Sequence, residues 1–289
     1  MRVSAFCPGH VSCIFEPSVT FNPLSTGSRG MGIRLSLGST ATVEERDDDM
    51  VNIFIDGSSS SAHITRMTVN TIAPGRGFDI RIENDLPMSQ GFGTSASGAL
   101  ASGIAVASLV GVSRTKAFEA AHMAEVKGGG GMGDVSAIVA GLDVPVRTRA
   151  GFPPRGLVEN ADMKFPTLTL AVLGPKMVTE GILGDNIAVN RIRDSGHSTL
   201  NSFLEDPSRD MFFRMSNRFS SEIGLESPSV RKAIMRLNAD GYNAGMCMLG
   251  NSIFTDAPIE KVRSLLGRGN VRAFSCSSSG REIKVTQRV

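Results

Sequence analysis

The chain has no tryptophan, one tyrosine and only four cysteines, Cys7, Cys13, Cys247 and Cys276, in 289 residues. So few and so scattered cysteines make no dense disulfide framework, and the simplest compartment is a reducing cytoplasm. Neither charge sign dominates: 30 Lys and Arg stand against 28 Asp and Glu. No basic run or stacking aromatic cluster occurs, which leaves no case for nucleic acid. Long apolar runs are missing too. The one extended uncharged stretch, 86–113, is broken by Gly and Ser and lacks the dense Leu, Ile and Phe of a membrane span. No charged-then-apolar leader precedes the first strand-like segment. What remains, 41% hydrophobic and 20% charged, is an ordinary globular composition, long enough for two domains.

The most informative stretch that is present runs from Leu86 to Gly98. Residues 78–83 alternate apolar and charged side chains, the period of a half-buried strand, and residues 99–110 are Ala-, Ile-, Val- and Leu-rich. Gly91, Phe92, Gly93, Thr94, Ser95 and Ala96 therefore sit on a glycine turn opening a buried helix. Unpaired N–H groups and the helix dipole make such an N-terminus an anion site, and a phosphate is the natural guest. A P-loop is excluded because no lysine occurs between Asp85 and Arg114. The looser dinucleotide pattern lacks the strand that should follow its helix. A plain packing turn is the alternative.

A second helix is predicted over 114–127. Its stripe Phe118, Ala121, His122, Glu125 places an acid and a histidine where a core should be. Either they are a satisfied core histidine and a frayed end, or they belong to a site. Gly128 to Gly133 then brings Asp134 to a further helix start, as an N-cap or as something more. Glu125, Asp134 and the glycine turn together suggest a magnesium ligand, a carboxylate near an accepting hydroxyl and a triphosphate cradle. Cys7, His10 and Cys13 have ligand-like spacing, but a zinc site would need a distant fourth ligand.

Strands are predicted over 2–15, 33–44, 51–55, 65–72 and 78–83, with the acidic run 45–49 as a solvated hairpin tip. A boundary is expected between 151 and 164. Beyond it come a strand at 167–173, helices at 185–204, 209–223 and from Ser227-Pro228, strands at 244–249 and 252–255, a helix at 258–266 and strands at 271–275 and 282–286.

Asp85-Leu86-Pro87 through Gly91-Phe92-Gly93-Thr94-Ser95-Ala96 resembles the P-x-x-x-G-L-G-S-S-A signature of the GHMP kinases. Ala5 to Val11 resembles their first motif, and Asn243 to Asn251 stands in the place of their third, with departures from the usual pattern. Within that superfamily, Thr26 to Gly32 and the segment from Arg147 through Gly151-Phe152-Pro153-Pro154 to Gly156 resemble the archaeal pantoate kinases. Cys7 stands where alanine is usual, and Phe92 and Thr94 replace leucine and serine. The resemblance implies an α+β fold: a ribosomal-protein-S5-like N-terminal nucleotide-binding domain over 1–155 and a ferredoxin-like domain over 156–289. It implies ATP- and Mg2+-dependent phosphorylation of the primary hydroxyl of pantoate, in an archaeal route to coenzyme A. Gly91, Phe92, Gly93, Thr94, Ser95 and Ala96 would hold the nucleotide, Ser95 and Glu125 the metal, and Asp134 the reacting hydroxyl. Ser28, Arg29, His122 and Arg147 would meet the hydroxy acid, arginine offering a bidentate fork to its carboxylate. A homodimer is left open. Homoserine, shikimate or mevalonate as acceptor, and a non-catalytic nucleotide sensor, are the rival readings.

Overall fold

The computed structural model describes residues 1–177, 186–267, 271–280 and 282–288. Two long strands, β1 (Arg2–Ser18) and β2 (Gly27–Glu45), form an antiparallel pair running from Arg2 opposite Glu44 to Ser18 opposite Gly27. The register slips twice, between Pro8 and His10 and between Ser12 and Ile14. Such irregularities re-aim side chains locally, and His10 and Ser12, both between the two slips, reach the site described below. Strands β3 (Val51–Ile55), β4 (Ser58–Ser59) and β5 (Phe78–Asn84) extend this sheet in the order β1-β2-β5-β3-β4.

Helix α1 (His63–Ile72) packs on α2 (Thr94–Val110) and α3 (Arg114–Gly128), and α2 lies against β1 and β2. The short α4 (Asp134–Val139) follows. Two further strands, β6 (Pro145–Arg149) and β7 (Leu157–Asn160), branch from β2, where Gly30 and Met31 pair with Arg147 and Val146. A second sheet, in the order β11-β8-β10-β9, is built from β8 (Leu168–Val172), β9 (Ala244–Met246), β10 (Ser252–Thr255) and β11 (Arg272–Cys276). Helices α5 (Asn186–Glu205), α6 (Arg209–Ile223), α7 (Pro228–Ala239) and α8 (Ile259–Leu266) accompany it. Strand β12 (Lys284–Arg288) then returns to the first sheet, beside β1.

β1 runs through two apolar cores. Val3, Ala5 and Cys7 pack with Ile80 of β5 and Leu100 of α2, whereas Val11, Ile14 and Phe15 pack with Phe212, Phe219 and Phe254. The α+β class is as expected, but two local expectations fail. Residues 65–72 are helical: Ile64, Thr65, Thr68, Val69 and Ile72 are buried at helical spacing, despite a β-branched composition that favours a strand. Residues 45–49 are no hairpin tip, because β5 lies between β2 and β3. Beyond residue 155, β7 and β12 both join the first sheet.

Candidate active site

A cavity of about 430 Å3 opens between the α2 N-terminus, the glycine run 128–133 and the residues after β9. That volume suits a small ligand. The turn before α2 has Gly91 and Gly93 at φ +74 and +66, a left-handed conformation that glycine adopts without strain. Added Cβ atoms would also collide with protein. At Gly91 one would lie 2.6 Å from the Met248 carbonyl oxygen, and at Gly93 2.8 Å from that of His10. The glycines thus seat the turn on β1 and on the 247–248 segment, and the His10 N–H donates to the Phe92 carbonyl (3.1 Å). Gly93 is the N-cap of α2 and offers no side-chain acceptor, so no side chain caps the first-turn N–H groups.

Ser95, in the first turn, donates to Glu125 Oε1 across 2.6 Å. Glu125 is 3% exposed at the end of α3. Burial raises its carboxyl to about 7, the Ser95 hydrogen bond works the other way, and the nearby Asp134 charge adds to the rise. Gly130 and Gly131 lie over this carboxylate: added Cβ atoms would come within 2.7 and 3.0 Å of its Oε2. Gly130 and Gly131 are therefore explained by the acid beneath them.

Asp134 lines the same cavity and is the first residue of α4; the N-cap is Gly133, which excludes the capping reading. His10 Nδ1 lies 2.7 Å from Asp134 Oδ1, and Ser12 donates to the same oxygen at 3.2 Å. Burial alone would raise the Asp134 pKa. The His10 hydrogen bond, the Arg147 charge and the Ser12 bond outweigh it and keep the carboxyl below its usual range. Burial keeps His10, fully enclosed, below the ordinary imidazole value. The arrangement is a neutral ring donating through Nδ1 to an ionised carboxylate.

The four acceptor candidates are placed differently. Ser28 lines the cavity. Arg147, 1% exposed, donates from Nε to the Ser28 carbonyl (3.2 Å), while both terminal nitrogens have no partner. It lies directly behind Gly133, where a Cβ would come within 2.6 Å of Nε. Arg29 and His122 need correction as direct contacts. The Arg29 guanidinium is fully engaged by the Thr148 carbonyl, Glu16 and Asn201, tying β1 and β2 to α5. His122 is 2% exposed; its Nε2 meets the carbonyls of Thr26 (3.0 Å) and Pro23 (3.2 Å), and its ring leans on Phe152. It stands one layer behind Ser28, holding the turn that leads into β2.

His10 and Ser12 were not among the predicted site residues; their signal was a polar pair flanking Val11 in the middle of a largely buried strand. Cys7, His10 and Cys13 do not converge on a metal. Cys7 and Cys13 lie in separate cores, His10 is bound to Asp134, and no group of three or more His, Cys, Asp or Glu suited to a metal occurs among the described residues. No helix among the described residues is long and apolar enough to cross a membrane.

The chain's similarities to known proteins agree with this geometry. Residues 57–142 match the family described as GHMP kinases N terminal domain. The chain is 29% identical to a pantoate kinase of Thermococcus kodakarensis, over 94% of each chain. It is 26% identical to one of Methanocaldococcus jannaschii, over 90% of this chain and 95% of that protein. A solved structure titled a phosphotransferase related to the CoA biosynthesis pathway superposes with a TM-score of 0.88 at 26% identity, covering 99% of each chain. A homoserine kinase from Cytophaga hutchinsonii, 14% identical with a TM-score of 0.70, shares the fold.

Proposed function

We propose, from the premise that this chain belongs to the GHMP kinase superfamily, that it transfers the γ-phosphoryl group of ATP to the primary hydroxyl of pantoate. The product would be 4-phosphopantoate, an intermediate on the way to coenzyme A, and the reaction would run in the cytoplasm. The observation that carries this reading is an ionised Asp134 facing the uncapped α2 N-terminus across one cavity, with Arg147, whose two terminal nitrogens have no partner, behind it.

Residues 91–96 would receive the phosphates of ATP at the head of α2. Ser95 and Glu125 fit a magnesium ion: a hydroxyl and a carboxylate side by side are hard oxygen donors, and a cation would relieve the cost of ionising the buried acid. Bound there, the ion would neutralise phosphate charge as it shifts toward the leaving group. The pantoate hydroxyl oxygen forms the new bond to the γ-phosphorus. The bond from that phosphorus to the β–γ bridging oxygen breaks, its electron pair leaves with ADP, and the hydroxyl proton passes to Asp134. A carboxylate this acidic is a weak base, so its main work is orientation, with proton uptake late along the path.

Ser28 would take the acceptor carboxylate, backed by the charge of the buried Arg147 that donates to its carbonyl, and His122 supports them through the 23–26 turn. Arg29 acts at a further remove by fixing the strand that carries Ser28. Homoserine fits less well: its ammonium would find Asp134 as the only acid among the described cavity-lining residues. The test is to incubate the protein with Mg-ATP and pantoate, homoserine, shikimate or mevalonate and to follow ADP release. Pantoate is expected to support turnover far above the others. Turnover of another acceptor with none of pantoate would reject pantoate and leave a kinase.

A further inference from the structure

A triphosphate carries about four negative charges at neutral pH, and one divalent ion with a helix dipole leaves much of that charge unmatched. The turn before α2 offers no cation, since lysine and arginine are absent between Asp85 and Arg114. Among the described residues that line the cavity, Lys176 is the only lysine or arginine. It lies in the segment that follows β8, far from the turn in sequence.

Three hydrogen bonds fasten that segment beside the turn. Met177 N–H donates to the Ser89 carbonyl (3.3 Å), and the Gln90 side-chain amide donates to the Gly174 carbonyl (3.2 Å). On the other flank, the Asn251 side-chain amide donates to the Pro175 carbonyl (2.9 Å). Lys176 therefore stands between two residues whose backbones are bonded to the head of the phosphate loop or to the turn before β10. No acid among the described residues pairs with its ammonium, and the side chain is exposed to the cavity mouth.

We propose that Lys176, from the segment that follows β8, supplies the cation missing from the phosphate loop, and that it binds the β- and γ-phosphates of ATP. The inference rests on the kinase reading but not on the identity of the acceptor. An ammonium at this place acts as a point charge that adapts to moving phosphate oxygens, and its attraction grows as charge builds on the leaving diphosphate.

The test compares nucleotides rather than acceptors. In Lys176→Met, ATP affinity by calorimetry in excess Mg2+ is expected to fall by roughly tenfold, and ADP affinity by roughly threefold or less. Turnover is expected to fall while the KM for pantoate stays within about twofold. Lys176→Arg keeps the charge and is expected to recover most of the ATP affinity. Unchanged melting temperatures would show that both variants fold, as expected for an exposed side chain. Retention of wild-type ATP affinity and turnover in Lys176→Met would overturn the proposal, as would an equal loss in Lys176→Arg. ATP and ADP titrations need no acceptor, so a wrong acceptor would leave this result intact.

Discussion

The carboxylates of Asp134 and Glu125 are pushed in opposite directions, and each displacement has a measurable consequence. Asp134 is held ionised by His10 and Ser12. Asp134→Asn is expected to bind Mg-ATP about as well as the parent and to lose roughly two orders of magnitude in kcat; near-normal kcat with only a lower melting temperature would make the residue structural. Glu125 is raised from 4.5 to about 7. Between those values the fold keeps a proton that the unfolded chain has shed, so its contribution to stability is complete below pH 4.5 and lost as pH rises through about 7. In magnesium-free protein, Glu125→Gln should therefore leave the melting temperature unchanged below pH 4.5 and raise it by roughly 2 °C or more above pH 7. Magnesium affinity of the parent should weaken as pH drops below about 7, where ion and proton compete. The two arginines should separate cleanly. Arg147→Met is expected to raise the KM for pantoate more than about tenfold with little change for ATP, whereas Arg29→Met, which breaks a tie to Glu16 and Asn201, should act mainly on thermal stability.

Most elements were legible from their ends. Ser227-Pro228 announced α7 as a cap followed by a first-turn proline, and the Ser227 hydroxyl does accept from Val230 N–H. Ser227→Ala is expected to cost about 1 kcal/mol in thermal unfolding with activity unchanged. Helix α1 was not legible, because its Thr, Val and Ile content imitates a strand. Inside the fold, the Thr68 and Thr71 hydroxyls turn back to the carbonyls four residues earlier, and the apolar stripe closes on α2 and α3. Strands β6 and β7 escaped notice because Pro and Gly between them read as a break in regular structure. The phosphate loop and the acids were visible in the sequence, yet the reason for the glycines was only half visible. They make room for His10, Cys247, Met248 and Glu125, contacts that no local pattern reveals.

At the scale of the molecule, the first sheet joins segments far apart in the chain. β1 is flanked by β2 on one side and by β12 on the other, and the buried Arg34 of β2 donates to the Ser279 carbonyl as well as to that of Ile138 in α4. A chain stopped at residue 283 would leave the β1 edge open as a template for pairing with other chains. It is expected to melt at least about 2 °C lower than the full chain and to aggregate on heating, checked by calorimetry and light scattering.

That pairing of first strand with last also sets a clock on synthesis. At about 5–20 residues per second, the ribosome needs roughly 15–60 s between completing β1 and delivering its final neighbour. Through that interval β1 can be satisfied on one side only, by β2. The nascent chain must carry an open strand edge until residues 284–288 have been made, so the first strand to be synthesised is among the last to be fully paired.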